Sequence, residues 1–234
     1  MQGIGIGVSD FKMLRVKENY FIDKSLFIKD IIDNQSSVAL ITRPRRFGKT
    51  LNMSMLKYYF DCTQKYNEEL FKDLKIMEQE EKYTSKLGYY PVIYITLKDI
   101  QGKNYENMLI ALKTEMVEIF IEHSNLLKSE KLLDIEKEMF STILNLKANE
   151  VELQNAIKLL SRLLYKEYEK PVMLLVDEYD VPLQNAYVKG YYEEAIEFFK
   201  TFYGTTFKDN PYLEKTVITG VSRVAKESIF SRSK

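Results

Sequence analysis

The stretch Ser37-Val38-Ala39-Leu40-Ile41-Thr42-Arg43-Pro44-Arg45-Arg46-Phe47-Gly48-Lys49-Thr50 decides the architecture. Its first six residues form a short apolar run with β-branched side chains, the composition of a strand buried on both faces. Leu51, Met55, Tyr58 and Tyr59 then mark one face of a helix that ends near Asp61. Between strand and helix lies a turn holding Gly48-Lys49-Thr50. The first backbone N–H groups of a helix have no partner within it, so they can bind an anion at the helix start. A buried strand, a glycine-lysine turn and a helix start together predict a phosphate site.

That context assigns chemistry to single residues. Lys49 is predicted to reach the β- and γ-phosphates of ATP, and the Thr50 hydroxyl to coordinate Mg²⁺. The cradle is the run Arg43, Pro44, Arg45, Arg46, Phe47, Gly48, Lys49, Thr50 and Leu51. A Gly-Lys-Thr tripeptide alone is a weak signal, and the flanking elements strengthen it. A second element supports it: Val172-Met173-Leu174-Leu175-Val176-Asp177-Glu178 reads as a buried strand with two carboxylates at its end. Asp177 is expected to hold the Mg²⁺ shell, and Glu178 to orient or deprotonate the attacking water. This strand is expected beside the first one.

The loop departs from the usual pattern, because arginine stands at 43 and 46 where glycine is common, so non-glycine residues must make the turn. Arg45 or Arg46 would add phosphate contacts, or the three arginines would form a local basic patch for nucleic acid, or neighbouring acidic side chains would satisfy them.

Further strands are expected at Tyr90 to Leu97 and at Thr216 to Thr219. Tyr105 to Tyr168 contains no proline and reads as two or three helices, and another helix is expected from Tyr191 to Tyr203. Asp180 is expected to fix the turn before Pro182. Strands alternating with helices predict an α/β fold in which helices cover both faces of a parallel sheet, with a helical insertion between the second and third core strands. Tyr20-Phe21-Ile22 reads as a short strand or extended arm ending at Asp23, a candidate N-cap for the helix carrying Leu26, Phe27, Ile31 and Ile32. Residues 1–36 are therefore expected to pack as an arm and helix on a core formed by 37–234.

Composition narrows the remaining choices. Nine glycines and five prolines in 234 residues are about half the usual share, which favours long helices. Thirty-four basic residues balance 34 acidic ones, so no net field draws the chain to nucleic acid or anionic lipid. One cysteine, Cys62, excludes an internal disulfide framework and a multi-cysteine metal site. The lone His123 is expected on the surface of a helix. No apolar run approaches the ~20 residues of a membrane span, and no leader pattern opens the chain. The expectation is a cytoplasmic protein with no membrane partner.

The chain closely resembles the bacterial AAA-ATPase-like proteins in several segments. These are Ile6-Gly7-Val8-Ser9-Asp10-Phe11, Tyr20-Phe21-Ile22-Asp23-Lys24-Ser25, the loop from Thr42 to Thr50, and Leu175-Val176-Asp177-Glu178-Tyr179-Asp180-Val181-Pro182. Asp209-Asn210-Pro211-Tyr212 and the run from Thr219 to Phe230 belong with them. The resemblance implies an ATP-binding α/β domain of the P-loop class, in which the loop arginines are a family trait. It implies that Thr219, at the end of the fourth strand, senses the γ-phosphate, with Arg223 the second candidate for that role unless it is simply a surface arginine at a helix start. It places the backbone from Tyr20 to Lys24 near the adenine, unless Tyr20 and Phe21 simply pack on the sheet. Members of that family usually continue, often into a restriction-endonuclease-like domain. The core is therefore expected to be C-terminally truncated at Lys234, with its lid outside this chain and any nucleic-acid contact belonging to the missing part. Self-association is a further expectation.

The leading reading is an Mg²⁺-dependent ATPase domain, and the alternative is a nucleotide-gated interaction module with negligible hydrolysis. A nuclease within these residues finds no support, because no acidic-acidic-lysine strand pattern is evident.

Overall fold

A strand with all six residues buried needs a neighbour on each edge and a layer on each face, and Val172–Asp177 is such a strand. The computed structural model describes residues 7–44, 46–63, 67–208 and 210–221. Its sheet holds β1 (Val38–Thr42), β2 (Val92–Thr96), β3 (Val172–Asp177) and β4 (Leu213–Gly220), in the order β1-β4-β3-β2 with every pairing parallel. The expected contact of β3 with the loop strand is corrected here: β4 lies between them. Val217 and Ile218, both fully buried, explain why β4 takes an inner place. Its expected span Thr216 to Thr219 is extended at both ends.

Before β1 come α1 (Phe11–Val16) and α2 (Leu26–Asp33), and after it α3 (Lys49–Phe60) and the short α4 (Glu81–Thr84). Between β2 and β3 lie α5 (Tyr105–Glu122), α6 (Asp134–Leu144), α7 (Glu150–Gln154) and α8 (Ala156–Tyr168). Then α9 (Val181–Lys189) and α10 (Tyr192–Tyr203) lead through a π-helical turn, Gly204–Lys208, to β4.

Strand residues alternate between two apolar layers. Ile93, Ile95, Leu174, Val176 and Ile218 join α5, α6 and α8 to α10 in one core. Ala39, Val92, Met173, Leu175 and Val217 join α1, α2 and α3 in the other. Phe11 of α1 stacks on Phe71 with ring centres 5.0 Å apart, so the N-terminal segment is built into the second core.

Several expectations need correction. Asn19–Lys24 holds no strand. Asp23 does not cap α2, whose N-cap position is Ser25; its carboxylate instead accepts N–H bonds from Ser25 at 2.8 Å and Lys75 at 2.9 Å. The stretch from Tyr105 to Tyr168 breaks into four α-helices rather than two or three: α5 ends at His123 before a 3₁₀ turn, and asparagines make the two later breaks. Asn145 ends α6, Asn149 caps α7 by accepting from the Glu152 N–H at 2.9 Å, and Asn155 separates α7 from α8. Asp180, by contrast, stands in the turn before Pro182 as expected, at the N-cap position of α9, which has proline in its first turn and Gly190, at φ +84°, closing it. His123 is buried at the end of α5, not on the surface, and its Nε2 has no hydrogen-bond partner among the described residues. Burial pushes its imidazole down to about 4.

Candidate functional site

The site forms where the C-terminal ends of β1, β3 and β4 meet the start of α3. The loop leaves β1 tied to β4, because the Arg43 N–H donates to the Gly220 carbonyl at 3.2 Å. Gly48 stands at φ +75° immediately before α3. A Cβ there would meet nothing within 4 Å, so backbone conformation and not space requires glycine.

The two loop arginines divide on the same criterion. Arg46 has φ +69°, whereas Arg43 keeps a negative φ. Only position 46 therefore carries left-handed strain, on the order of 1–2 kcal/mol for a residue with a Cβ. Arg43, Arg46 and Phe47 are exposed. Neither arginine forms an ion pair among the described residues, so pairing with neighbouring acidic groups does not account for them. Arg45 lies outside the described residues. Leu51 is half-buried, with its side chain against the second core.

Lys49 is the first residue of α3, and its side chain is 4% exposed. Its ammonium donates to the carbonyls of Arg43 at 3.1 Å and Pro44 at 3.3 Å and stands 3.4 Å from Glu178 Oε1. The loop thus curls around the lysine, and the three contacts match its three protons. A lysine is rarely this buried unless paired, and the Glu178 carboxylate pairs it.

At the next residue of α3, the Thr50 hydroxyl donates to Asp177 Oδ2 at 2.7 Å, across 127 positions of sequence. Thr219 donates to the other oxygen, Asp177 Oδ1. Asp177 is buried, so these two hydroxyls satisfy a carboxylate that water does not reach. The Glu178 N–H points at Thr219 Oγ1, 3.4 Å away. Glu178 itself holds φ +57°, a strained conformation that persists only where the surroundings enforce it. The sequence-derived residues Lys49, Thr50, Asp177, Glu178 and Thr219 therefore meet in one place. Arg223 lies outside the described residues.

The oxygen set at Thr50 and Asp177 suits a hard cation. Among the described residues no cluster of three or more His, Cys, Asp or Glu side chains could enclose a metal.

Sequence reasoning missed the wall beside Thr50. A cavity of about 220 Å³ opens there, lined by Asp10, Ser54, Tyr58, Tyr94 and Thr96 among others. Asp10 Oδ2 accepts from the Tyr58 hydroxyl at 3.0 Å and from Ser54 at 3.4 Å, while Asp10 Oδ1 accepts the Met13 N–H at 2.7 Å as the cap of α1. Burial pushes the Tyr58 and Tyr94 phenols up, with Asp10 adding to the first and Asp177 to the second. Thr50, Ser54 and Tyr58 share one face of α3 by their spacing, which is the signal that could have found this wall.

The profile of a family described as predicted AAA-ATPase, AAA-ATPase-like, matches residues 5–230, and the chain belongs to that family. It is 24% identical over 236 residues to a protein of Azotobacter chroococcum mcd 1 named "Uncharacterized protein in vnfD 5'region". That alignment covers 97% of this chain and 38% of the relative, so the chain spans well under half of the relative's length. No solved structure matches the chain. Among the described residues, no helix is long and apolar enough to cross a membrane.

Proposed function

We propose that the chain is a P-loop nucleotide-binding domain that hydrolyses ATP with Mg²⁺. One observation carries the reading. Thr50, beside the buried Lys49 at the start of α3, shares a 2.7 Å bond with Asp177 at the end of a buried strand, while Lys49 faces Glu178 at 3.4 Å. The four helices between β2 and β3 are, on this reading, an insertion into the P-loop core.

The roles follow from position. The α3 start and the loop amides would receive the phosphates, and a triphosphate would draw Lys49 from the loop carbonyls and from Glu178. Thr50 and Asp177 would hold Mg²⁺, which would neutralise charge on the phosphates. Glu178, released from Lys49, would take the proton of the attacking water. Thr219, bonded to Asp177, would report the γ-phosphate to the carboxylate end of β3. Self-association belongs to the same proposal, and light scattering with and without nucleotide reads it.

Thermal unfolding with and without Mg·ATP tests the binding step. Ligand at ~100 times its dissociation constant should add about 2.7 kcal/mol, and Lys49→Ala should remove the gain. No shift at millimolar nucleotide in a folded sample overturns the proposal. Phosphate release then separates the two forms of the reading. Mg·ATP binding with turnover indistinguishable from Glu178→Gln would leave a nucleotide-gated module in place of an ATPase.

A further inference from the structure

The three residues after β3 are bound to the end of β4 position by position. The Glu178 N–H points at Thr219 Oγ1 at 3.4 Å, the Tyr179 N–H donates to the Thr219 carbonyl at 3.0 Å, and Asp180 Oδ2 accepts the Val221 N–H at 3.0 Å. The same Asp180 oxygen accepts from Gln184 Nε2 at 2.7 Å, one turn into α9. Behind them, the Tyr203 hydroxyl donates to the Tyr179 carbonyl at 2.6 Å from within the core.

Gly220 completes this arrangement. A Cβ at that position would lie 2.6 Å from the Tyr179 ring and 2.7 Å from Asp180 Oδ1, so the two segments approach as closely as backbone allows. Asp180 is buried. Its carboxylate spans the two structures that matter to Glu178, the strand end carrying Thr219 and the helix that follows the site.

We propose that Asp180 is a positioning residue for the candidate base: it clamps the start of α9 to the end of β4 and thereby holds Glu178 in its left-handed conformation beside Lys49. Glu178 is the middle of a mechanical sequence, with Asp177 fixed by two hydroxyls before it and Asp180 fixed by Val221 and Gln184 after it. Without the second anchor, a residue at φ +57° relaxes toward ordinary backbone and turns its carboxylate away from the site. The inference rests on the ATPase reading above and assigns a residue that touches neither nucleotide nor metal.

The test compares Asp180→Ala with Asp180→Asn. Alanine removes the acceptor, and asparagine keeps an oxygen that can accept the Val221 N–H. Asp180→Ala is expected to lower kcat by about 10–100-fold, the scale of a misplaced reacting group, with the Mg·ATP dissociation constant unchanged within about twofold. Asp180→Asn is expected to recover most of the loss. Amide exchange supplies a readout independent of turnover, with the Tyr179 and Val221 amides exchanging faster in Asp180→Ala and staying protected in Asp180→Asn. If Asp180→Ala does not fold, Gln184→Ala, at an exposed position, should show a smaller kcat loss in the same direction. Full kcat in Asp180→Ala, parallel losses of kcat and affinity, or unchanged exchange at Tyr179 and Val221 would overturn the proposal. A wild-type chain that neither binds nor hydrolyses ATP would overturn the ATPase reading instead, and the exchange data would still decide whether the clamp exists.

Discussion

The loop from Arg43 to Gly48 and the paired ends of β3 and β4 face each other across the site, and they are built in opposite ways. The loop's described residues are exposed, and its shape is held through Lys49, whose ammonium bonds the Arg43 and Pro44 carbonyls, and through left-handed backbone at Arg46 and Gly48. The strand ends are buried and cross-linked by Thr219, Asp180, Tyr203 and the bare Gly220 backbone. A phosphate ligand has to displace the contacts of the loop, whereas a water-activating carboxylate has to stay where it is. The difference assigns adjustment to one side of the site and rigidity to the other.

Lys49→Ala breaks the comparison most severely, because the lysine bonds the loop carbonyls on one side and faces Glu178 on the other. Loss of a single preorganised electrostatic donor lowers kcat by about 10²–10³-fold, and Lys49→Ala should do at least that while abolishing stabilisation by Mg·ATP. Phosphate release and thermal unfolding measure the two effects. A variant that still gains stability from nucleotide would mean that the α3 start and loop amides suffice for binding.

Acid gives the next largest effect, and it acts outside both regions. His123 is held neutral, with its pKa lowered to about 4 from 6.5. The unfolded chain therefore binds the proton first, so stability is fully present above about pH 6.5 and falls as pH drops toward 4. A pKa that differs by one between the folded and unfolded chain is worth about 1.4 kcal/mol, which makes the full loss roughly 3 kcal/mol. Urea midpoints across that range should decline in the wild type and flatten in His123→Gln. A decline that persists in His123→Gln would trace instead to carboxylates that partners hold below the usual range, such as Asp33 bonded to Lys82.

The reach of the sequence follows the same division. Apolar strand runs and the Gly48-Lys49-Thr50 turn need only local pattern, and they locate both the sheet and the loop. Asp177 and Glu178 are legible because two carboxylates ending an apolar strand break its pattern. The place of β4 between β1 and β3 was hidden, since pairing order is set by which strands have both hydrogen-bonding edges covered in the packed sheet and not by chain order. Asparagine breaks in the long helical stretch carried no proline or glycine signal. The burial of His123 reflects tertiary packing at the end of α5, which no local pattern records. Asp180 reads as a turn residue because its partner, Val221, is 41 positions away. The unequal strain at Arg43 and Arg46 is a property of backbone angles that residue types alone do not show.

Thr219→Val probes the rigid side alone. It preserves shape while removing the hydroxyl that donates to Asp177 and faces the Glu178 N–H. The buried carboxylate then loses a donor, at a cost of about 1–3 kcal/mol in stability. Mg·ATP affinity should change less than kcat, because Thr50 still holds Asp177 at the metal side. Calorimetry set beside phosphate release separates these quantities. Equal losses in binding and turnover would show that the strand ends adjust to the ligand as the loop does.

The smallest effect tests the loop by sign. Arg46 is left-handed and Arg43 is not, so the same substitution to glycine should act oppositely at the two positions. At 46, glycine relieves strain of roughly 1–2 kcal/mol, and the added freedom of the unfolded chain takes back about 0.5–1 kcal/mol. Arg46→Gly should therefore stabilise the protein by about 0.5–1 kcal/mol. At 43 there is no strain to relieve, so Arg43→Gly should destabilise by a similar amount through the unfolded state alone. For a chain of this size, 1 kcal/mol moves Tm by about 2–4 °C, so the two variants, about 1–2 kcal/mol apart, should separate by about 2–8 °C with wild type between them. Since neither arginine forms an ion pair among the described residues, loss of a bridge does not confuse the sign. If both substitutions shift Tm in one direction, strain is not what distinguishes the positions, and the arginine side chains themselves hold the loop.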